Sequence, residues 1–263
     1  MKTRRLSPAF LLLFATAFVT ILLVAFRTVA LFLNFDPRAQ HYISPLVEAL
    51  STYGFLLPLL LFIPLTLLLP KDTRLTHVGE RKRFFYLPLL LFLAASSVEL
   101  FVTAITERLT TLSFVFALLS AVFAGIYALP YLFKVLKLPV SDSLHQLLLA
   151  LGSVYMILYA MFFYFDERHY MNNPNAMLVT LAAVVLALLI LYDAKSLTGG
   201  SARLTLYLMA SGVSLAVSTA LPALLYRFSD GGGLASSLVF ELVLLSVALP
   251  FGFRLFIYGG RNK

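Results

Sequence analysis

Apolar side chains follow one another along this chain in eight long runs that are separated by short polar connectors. A helix rises about 1.5 Å per residue, so about 20 apolar residues cross the roughly 30 Å hydrocarbon layer of a bilayer. The pattern therefore predicts eight membrane-spanning helices. Their expected bounds are 8–33, 45–69, 85–105, 112–133, 143–164, 175–192, 204–226 and 236–257.

The composition agrees with this pattern. Apolar residues make up 61% of the 263 residues and charged residues 12%, against about 45–50% and 25% in soluble domains. Every connector is short, and the longest is 70–84. We therefore predict an all-α integral membrane protein without a soluble domain. The chain contains no cysteine, which excludes disulfides, thiolate metal ligands and cysteine nucleophiles.

Lysine and arginine are divided unevenly between the two sets of connectors. With the N-terminus inside, fifteen basic residues lie on the cytoplasmic side, four lie outside, and Arg27 lies within a span. Cytoplasmic connectors of membrane proteins are enriched in basic residues, so we expect both termini in the cytoplasm. This distribution accounts for the net charge of +8 without a nucleic-acid partner. The start MKTRR and the ATA at 15–17 resemble a signal peptide, but cleavage there would leave half a span, so we expect an uncleaved helix.

The second half of the chain repeats features of the first half in the same order. The connector FDPRAQHYISP at 35–45 is echoed by FDERHYMNNP at 165–174. The segment LFLAASSVELFVTAI at 91–105 shares seven of fifteen positions with LYLMASGVSLAVSTA at 206–220. A matching connector and a matching span together are stronger evidence for a repeat than either match alone. A match between two spans is weak by itself, because leucine, alanine and valine are common in all the spans.

The ends of two further spans support the same division. ALPYLFK at 128–134 is echoed by ALPFGFR at 248–254, and both end on a basic residue. We therefore predict two four-span repeats, 1–139 and 140–263. An even number of spans in each repeat gives both the same orientation, as in parallel repeats related by an axis along the membrane normal.

The repeated connector phrase has two interpretations. Ser44 before Pro45 and Asn173 before Pro174 are typical of helix N-caps that are followed by proline. The alternative is a divalent-ion site built from acidic and histidine side chains of both copies, namely Asp36, His41, Asp166 and His169. We favour the turn and cap, because the spacing matches no metal motif.

At these F-D and H-Y phrases, and at the N-x-P start of the sixth span, the chain resembles multi-pass membrane proteins of clostridial-type bacteria with no assigned function. The resemblance extends over most of the chain. It implies a place in a bacterial cytoplasmic membrane, and it implies no activity.

Ionisable residues occur inside four of the predicted spans. Such residues cost about 2.5–3.5 kcal/mol at mid-helix, so each needs a partner or a function. They are Arg27, Glu48, Glu99 and Glu241. All four lie roughly 5–10 Å below the same membrane boundary. The pattern predicts a polar ligand-binding cavity open to the outside, in which Arg27 faces one or more carboxylates.

Each of these residues also has a structural interpretation. Glu48 and Glu241 lie near helix starts, where the helix dipole favours an anion. Arg27 is close enough to the boundary to extend toward headgroups. A buried Arg27–Glu99 pair that only stabilises the fold is the alternative to a ligand site.

The connector PKDTRLTHVGERKR at 70–83 is the most basic one. We expect it to set the topology and to bind anionic lipid headgroups, at about 1 kcal/mol per basic residue. The residues expected to bind headgroups are Lys71, Arg74, Arg81, Lys82 and Arg83. A protein partner at this face is left open.

Motifs of familiar enzymes are missing from the sequence. It contains no H-E-x-x-H, no G-x-S-x-G, no Walker loop and no G-x-G-x-x-G. We therefore expect no cofactor and favour a function other than catalysis. The preferred prediction is a permease for a small solute, with an outward-facing polar cavity. The alternative is a non-catalytic membrane subunit or sensor that binds a partner or ligand at the outer face. A metal-dependent enzyme would require His41 and His169 to meet.

Overall fold

The fold is almost entirely helical. The structure, a computed structural model, describes residues 7–39, 41–70, 86–165, 173–196, 201–230, 234 and 237–261. The helices in these ranges are α1 (Pro8–Asn34), α2 (Pro45–Tyr53), α3 (Leu56–Leu67), α4 (Leu87–Thr106), α5 (Thr111–Leu136), α6 (Asp142–Phe165), α7 (Pro174–Ser196), α8 (Ala202–Asp230) and α9 (Leu238–Arg261). Two short strands, β1 (Phe35–Asp36) and β2 (His41–Tyr42), pair antiparallel between α1 and α2.

Eight helical segments in the described part of the chain are long and apolar enough to cross a membrane. Helices α2 and α3 together form one of them, Pro45–Leu67. The predicted spans agree with these segments to within a few residues at each end. The prediction of eight apolar helices is therefore confirmed, and their length and composition are those of a multi-pass membrane protein.

The second span is not continuous, and a proline explains the break. Pro58 has no N–H, so it cannot donate to the Gly54 carbonyl four residues earlier. The Leu57 N–H donates to that carbonyl instead, at 3.1 Å. The tighter turn separates α2 from α3 and leaves Phe55 wholly buried.

Helices α4 to α9 contact one another in chain order, and α9 also contacts α4, so these six described helices form a closed ring. The first two spans pack against this ring: α1 contacts α8 and α9, α3 contacts α1 and α8, and α2 contacts α7. This arrangement places α1 on the outside of the ring, against α8 and α9.

Stacked and edge-on aromatic rings cross the centre of the helix ring. The Tyr159 and Phe240 rings lie face to face with centroids 3.4 Å apart, and the other neighbouring centroids are 5.4 to 6.4 Å apart, within the range of about 4.5–7 Å in which aromatic pairs are favourable. The aromatic column consists of Tyr86, Tyr131, Tyr127, Tyr155, Tyr159 and Phe240. Ser96 of α4 and Tyr155 of α6 share a hydrogen bond of 2.8 Å across the ring. A side chain at Gly152 would overlap the Tyr127 ring, so only glycine allows this approach of α5 to α6.

The two predicted repeats have different surroundings. Helix α8 packs against α1, α3, α7 and α9, whereas its counterpart α4 packs mainly against α5 and α9 and reaches α6 through the Ser96–Tyr155 hydrogen bond. The second span is broken, whereas its counterpart α7 is one helix. The division between 139 and 140 stays a prediction.

Candidate functional site

Arg27 is wholly buried near the end of α1. Its Nη2 donates to Oδ1 of Asn175, and its Nη1 donates to the Ser218 carbonyl at 3.4 Å. The Phe55 ring lies 5.8 Å from its Cζ, so the break in the second span supplies an aromatic neighbour for the cation. Within the described residues, Nε has no hydrogen-bond partner. The two terminal nitrogens are therefore held by neutral oxygens, and Nε is a buried donor without a partner among these residues.

A proline makes the Ser218 carbonyl available. Pro222 lies four residues after Ser218 within α8 and has no N–H, so the helix leaves this carbonyl without its usual donor. A buried carbonyl without a donor is costly, and Arg27 supplies the donor from another helix. One hydrogen bond between α1 and α8 thus depends on a proline that the sequence places inside α8.

The start of α7 positions the amide partner. Helix α7 begins at Pro174, and Oδ1 of Asn173 accepts from the N–H groups of Asn175 and Ala176 at 2.8 and 3.3 Å. The predicted cap at Asn173 is confirmed. Because this cap fixes the first turn, Asn175 is held beside Arg27.

Glu241 is wholly buried in the first turn of α9, and its Oε1 lies 3.4 Å from Nη2 of Arg227 in α8. It is also close enough to Arg27 to interact electrostatically, as is Tyr42. The structure thus brings together Arg27 and Glu241, two of the predicted site residues. We name the group of Arg27, Asn175, Ser218, Arg227 and Glu241 the Arg27 cluster.

Glu99 is partnered separately from Arg27. Both its carboxylate oxygens accept from the Ser237 hydroxyl at 2.8 Å, and Arg227 is close enough to interact with it. Oγ of Ser237 also accepts from the Phe240 N–H at 3.2 Å, which caps α9. A direct Arg27–Glu99 ion pair, the structural alternative, is not formed between these two described side chains. The hydroxyl of Ser237, which precedes α9, donates to the Glu99 carboxylate instead.

Glu48 lies at the surface rather than with the buried charges. It is paired with Nδ1 of His41 at 3.3 Å, and both side chains are about one third exposed. The Asp36 carboxylate accepts from the N–H groups of Arg38 and Ala39 at 2.8 and 3.4 Å, which closes the turn between β1 and β2. The first copy of the repeated phrase is therefore a hairpin.

Asp36 and His41, two residues of the predicted divalent-ion site, have other partners in the structure. In the part of the chain that the structure describes, no group of three or more histidine and acidic side chains is placed to hold an ion. Asp166 and His169, which the metal site would need, lie outside the described residues. The predicted headgroup-binding residues Lys71, Arg74, Arg81, Lys82 and Arg83 lie outside them as well.

A second group of charged side chains lies at the opposite end of the ring, with Arg254 buried and Asp193 and Lys134 partly buried. Arg254 of α9 donates through Nη1 to Oδ1 of Asp193 in α7 at 2.6 Å. Lys134, near the end of α5, lies with Nζ 5.0 Å from the Tyr86 ring centroid. Burial raises the pKa of Tyr86 above its ordinary value, so its hydroxyl stays protonated. We name Arg254, Asp193, Lys134 and Tyr86 the Arg254 cluster.

The sequence contains weak signals for the residues that were not predicted. Asn175 directly follows a proline, and Ser218 lies four residues before one, which indicates a polar group at a helix start and a carbonyl without a helical donor. Arg227 and Arg254 count in the sequence only as topology signals.

Comparisons of the chain with protein-family models, curated proteins and solved structures gave no match.

Proposed function

We propose that this protein is a permease that binds a small polar solute at the Arg27 cluster. The observation that carries the proposal is the wholly buried Arg27 guanidinium, which has neutral hydrogen-bond partners and whose Nε has no acceptor among the described residues. An ionised group in a membrane span is costly and marks functional paths in many membrane proteins. A solute oxygen would complete the hydrogen bonding of Nε.

The position of the cluster supports this proposal. It lies where α1, which is outside the ring, meets α7, α8 and α9 of the ring. Solute sites of many transporters lie between two bodies of helices that move against each other. A change in the packing of α1 on α8 would alter access to Arg27.

The proposal includes an orientation and a location. Both termini lie in the cytoplasm of a bacterial cell, so the Arg27 end of the bundle faces outward; the distribution of lysine and arginine supports this. The two halves, 1–139 and 140–263, descend from one four-span unit and share an orientation. Ile43→Cys and Leu138→Cys lie at opposite ends and are exposed, so an impermeant thiol reagent on intact cells should label only the first.

Cysteine accessibility also tests the permease itself, because the natural chain has no cysteine and gives no background. Ser218→Cys reports on the Arg27 cluster. Ser120→Cys is the matched control, since both serines are wholly buried and Ser120 lies on α5. A permease that opens to the outside should expose the thiol of Ser218→Cys to the impermeant reagent, while the thiol of Ser120→Cys stays unmodified. Equal protection of both positions would contradict the permease.

The second candidate function is a non-catalytic membrane subunit or sensor. The observation that favours it is the aromatic column, because Tyr127, Tyr155 and Phe240 are wholly buried within the ring. A centre filled by side chains suits a scaffold that binds its partner or ligand at the outer face. In that case the thiols of the two serine-to-cysteine variants are equally protected, and a second protein co-purifies at a fixed ratio.

A further inference from the structure

We propose that Arg254 and Lys134 form a binding site for a phosphate group, at the end of the ring opposite the Arg27 cluster. This site is independent of the permease proposed above. It uses none of the residues of the Arg27 cluster, and it would be present equally in a subunit or a sensor.

Arg254 has one donor edge without an acceptor among the described residues. A guanidinium is planar, and Nε and Nη2 present two parallel N–H groups along one edge. Asp193 occupies only Nη1. Both Nε and Nη2 are buried and have no hydrogen-bond partner among the residues that the structure describes. The spacing of this edge matches two oxygens of a phosphate or a carboxylate.

Leaving this edge without an acceptor costs free energy. Arg254 is only 9% exposed, so water gives its N–H groups little compensation. Each buried donor without an acceptor is destabilising, and more so when the donor is charged. An anion on the Nε and Nη2 edge of Arg254 would supply acceptors for two such donors at once. A solute oxygen at Nε of Arg27 would supply an acceptor for one.

The charges of the Arg254 cluster favour an anion. Lys134 is close enough to interact with both Arg254 and Asp193. When all three are ionised, two positive charges face one negative charge, so the cluster has a net charge of +1 that one phosphodiester would neutralise. Lys134 adds a point charge that suits a phosphate bound by the arginine edge.

The site lies near the ends of two helices, α5 and α9. Lys134 lies two residues before the end of α5, and Arg254 lies in the last two turns of α9. Tyr86, which precedes α4, stacks on Tyr131 with 5.5 Å between centroids. Tyrosine and lysine at helix ends are typical of the headgroup region of a bilayer. A phosphate group can reach this depth from a lipid headgroup or from a free phosphate in solution, and the chemistry of recognition is the same.

The experiment measures binding to the full chain, purified in a maltoside detergent that contains no phosphate. One arm titrates dioctanoyl phosphatidylglycerol against dioctanoylglycerol, which has the same acyl chains and no phosphate. The other arm titrates inorganic phosphate against chloride. The readouts are the melting temperature and the retained ligand in native mass spectrometry. Binding in the lipid arm alone assigns the site to a headgroup, and binding in the phosphate arm alone assigns it to a free phosphate.

The variants identify the site. Arg254→Lys keeps the charge and removes the paired donors, so affinity should fall by about tenfold, the equivalent of one charge-assisted hydrogen bond. Arg203→Lys is the matched control, because Arg203 donates to the Leu69 carbonyl at the same end of the bundle. If Arg254→Lys fails to fold, Lys134→Gln should weaken binding by a similar factor. The proposal is overturned if the natural chain binds in neither arm, or if Lys134→Gln and every folded Arg254 variant bind as tightly as Arg203→Lys.

Discussion

The Arg27 and Arg254 clusters each bury an arginine, and they lie at opposite ends of the same bundle. The two arginines have different kinds of hydrogen-bond partner. Arg27 is bonded to an amide oxygen and a backbone carbonyl. Arg254 is bonded to a carboxylate. Each terminal nitrogen of Arg27 has an acceptor, and among the described residues Nε has none. Asp193 takes one nitrogen of Arg254 and leaves a paired edge. The same residue type therefore offers a single donor at one end and a bidentate donor at the other.

The two clusters also differ in how they hold the helices together. The Arg27 contacts join α1, which packs outside the ring, to α7 and α8. The Arg254 contact joins α9 to α7, and both belong to the ring. Only 17% of the span in α1 is buried, against 56% in α7 and in α9. Substitution of Arg27 should therefore weaken the packing of the first span on the helix ring. Substitution of Arg254 should weaken contacts within the ring itself.

The largest effect is expected for Asp193→Asn. This change leaves Arg254 and Lys134 without their carboxylate, and removing one partner of a buried ion pair costs about 3–5 kcal/mol. The free energy of unfolding in detergent measures it. A loss below about 1 kcal/mol, the range of exposed pairs, would show that the two clusters do not differ as described.

A smaller effect is expected for Asn175→Ala. The change removes a neutral acceptor from Arg27, and hydrogen bonds to charged groups contribute about 1.5–3 kcal/mol. Asn175→Asp is the matched control, since its carboxylate still accepts from Arg27 and should preserve the free energy of unfolding. If Asn175→Ala costs as much as Asp193→Asn, the contrast between neutral and charged partners fails.

Gly152→Ala changes the aromatic column between the two clusters. The added methyl group would overlap the Tyr127 ring, and overpacking of this kind costs about 1–3 kcal/mol. Gly252→Ala is the control, because its Cβ would lie 3.5 Å from Val213, an ordinary contact. Thermal unfolding of the two variants should separate them, and equal melting temperatures would mean that the column adapts without strain.

The smallest expected effect is the coupling free energy between Pro222→Ala and Arg27→Gln. Alanine restores a helical donor to the Ser218 carbonyl, so loss of the guanidinium should matter less in this background. A double-mutant cycle should give a coupling of about 1 kcal/mol. The same cycle with Pro250→Ala, which lies in α9, should give none. Equal coupling to both prolines would show that Arg27 does not depend on the carbonyl freed by Pro222.

The helix starts and the neighbouring positions on one helix follow from local sequence. Pro45 and Pro174 begin α2 and α7 as predicted. Tyr155 and Tyr159 are four residues apart, so their contact within α6 is expected from helical spacing. The bond of 2.8 Å from Tyr155 to Ser96 connects α6 to α4, and no pattern within either helix indicates it.

The sequence by itself determined the eight apolar segments, because a span is recognised from its own residues and from the thickness of the bilayer. It also indicated that Arg27, Glu99 and Glu241 need partners, because the cost of a charge in a span is local. The tertiary structure alone decided that these partners are Asn175, Ser218, Ser237 and Arg227. Partner choice depends on how each helix is rotated and which helices are neighbours. Those features result from the packing of all the spans together, and lipid on the outside of the bundle leaves few marks of them in an apolar sequence.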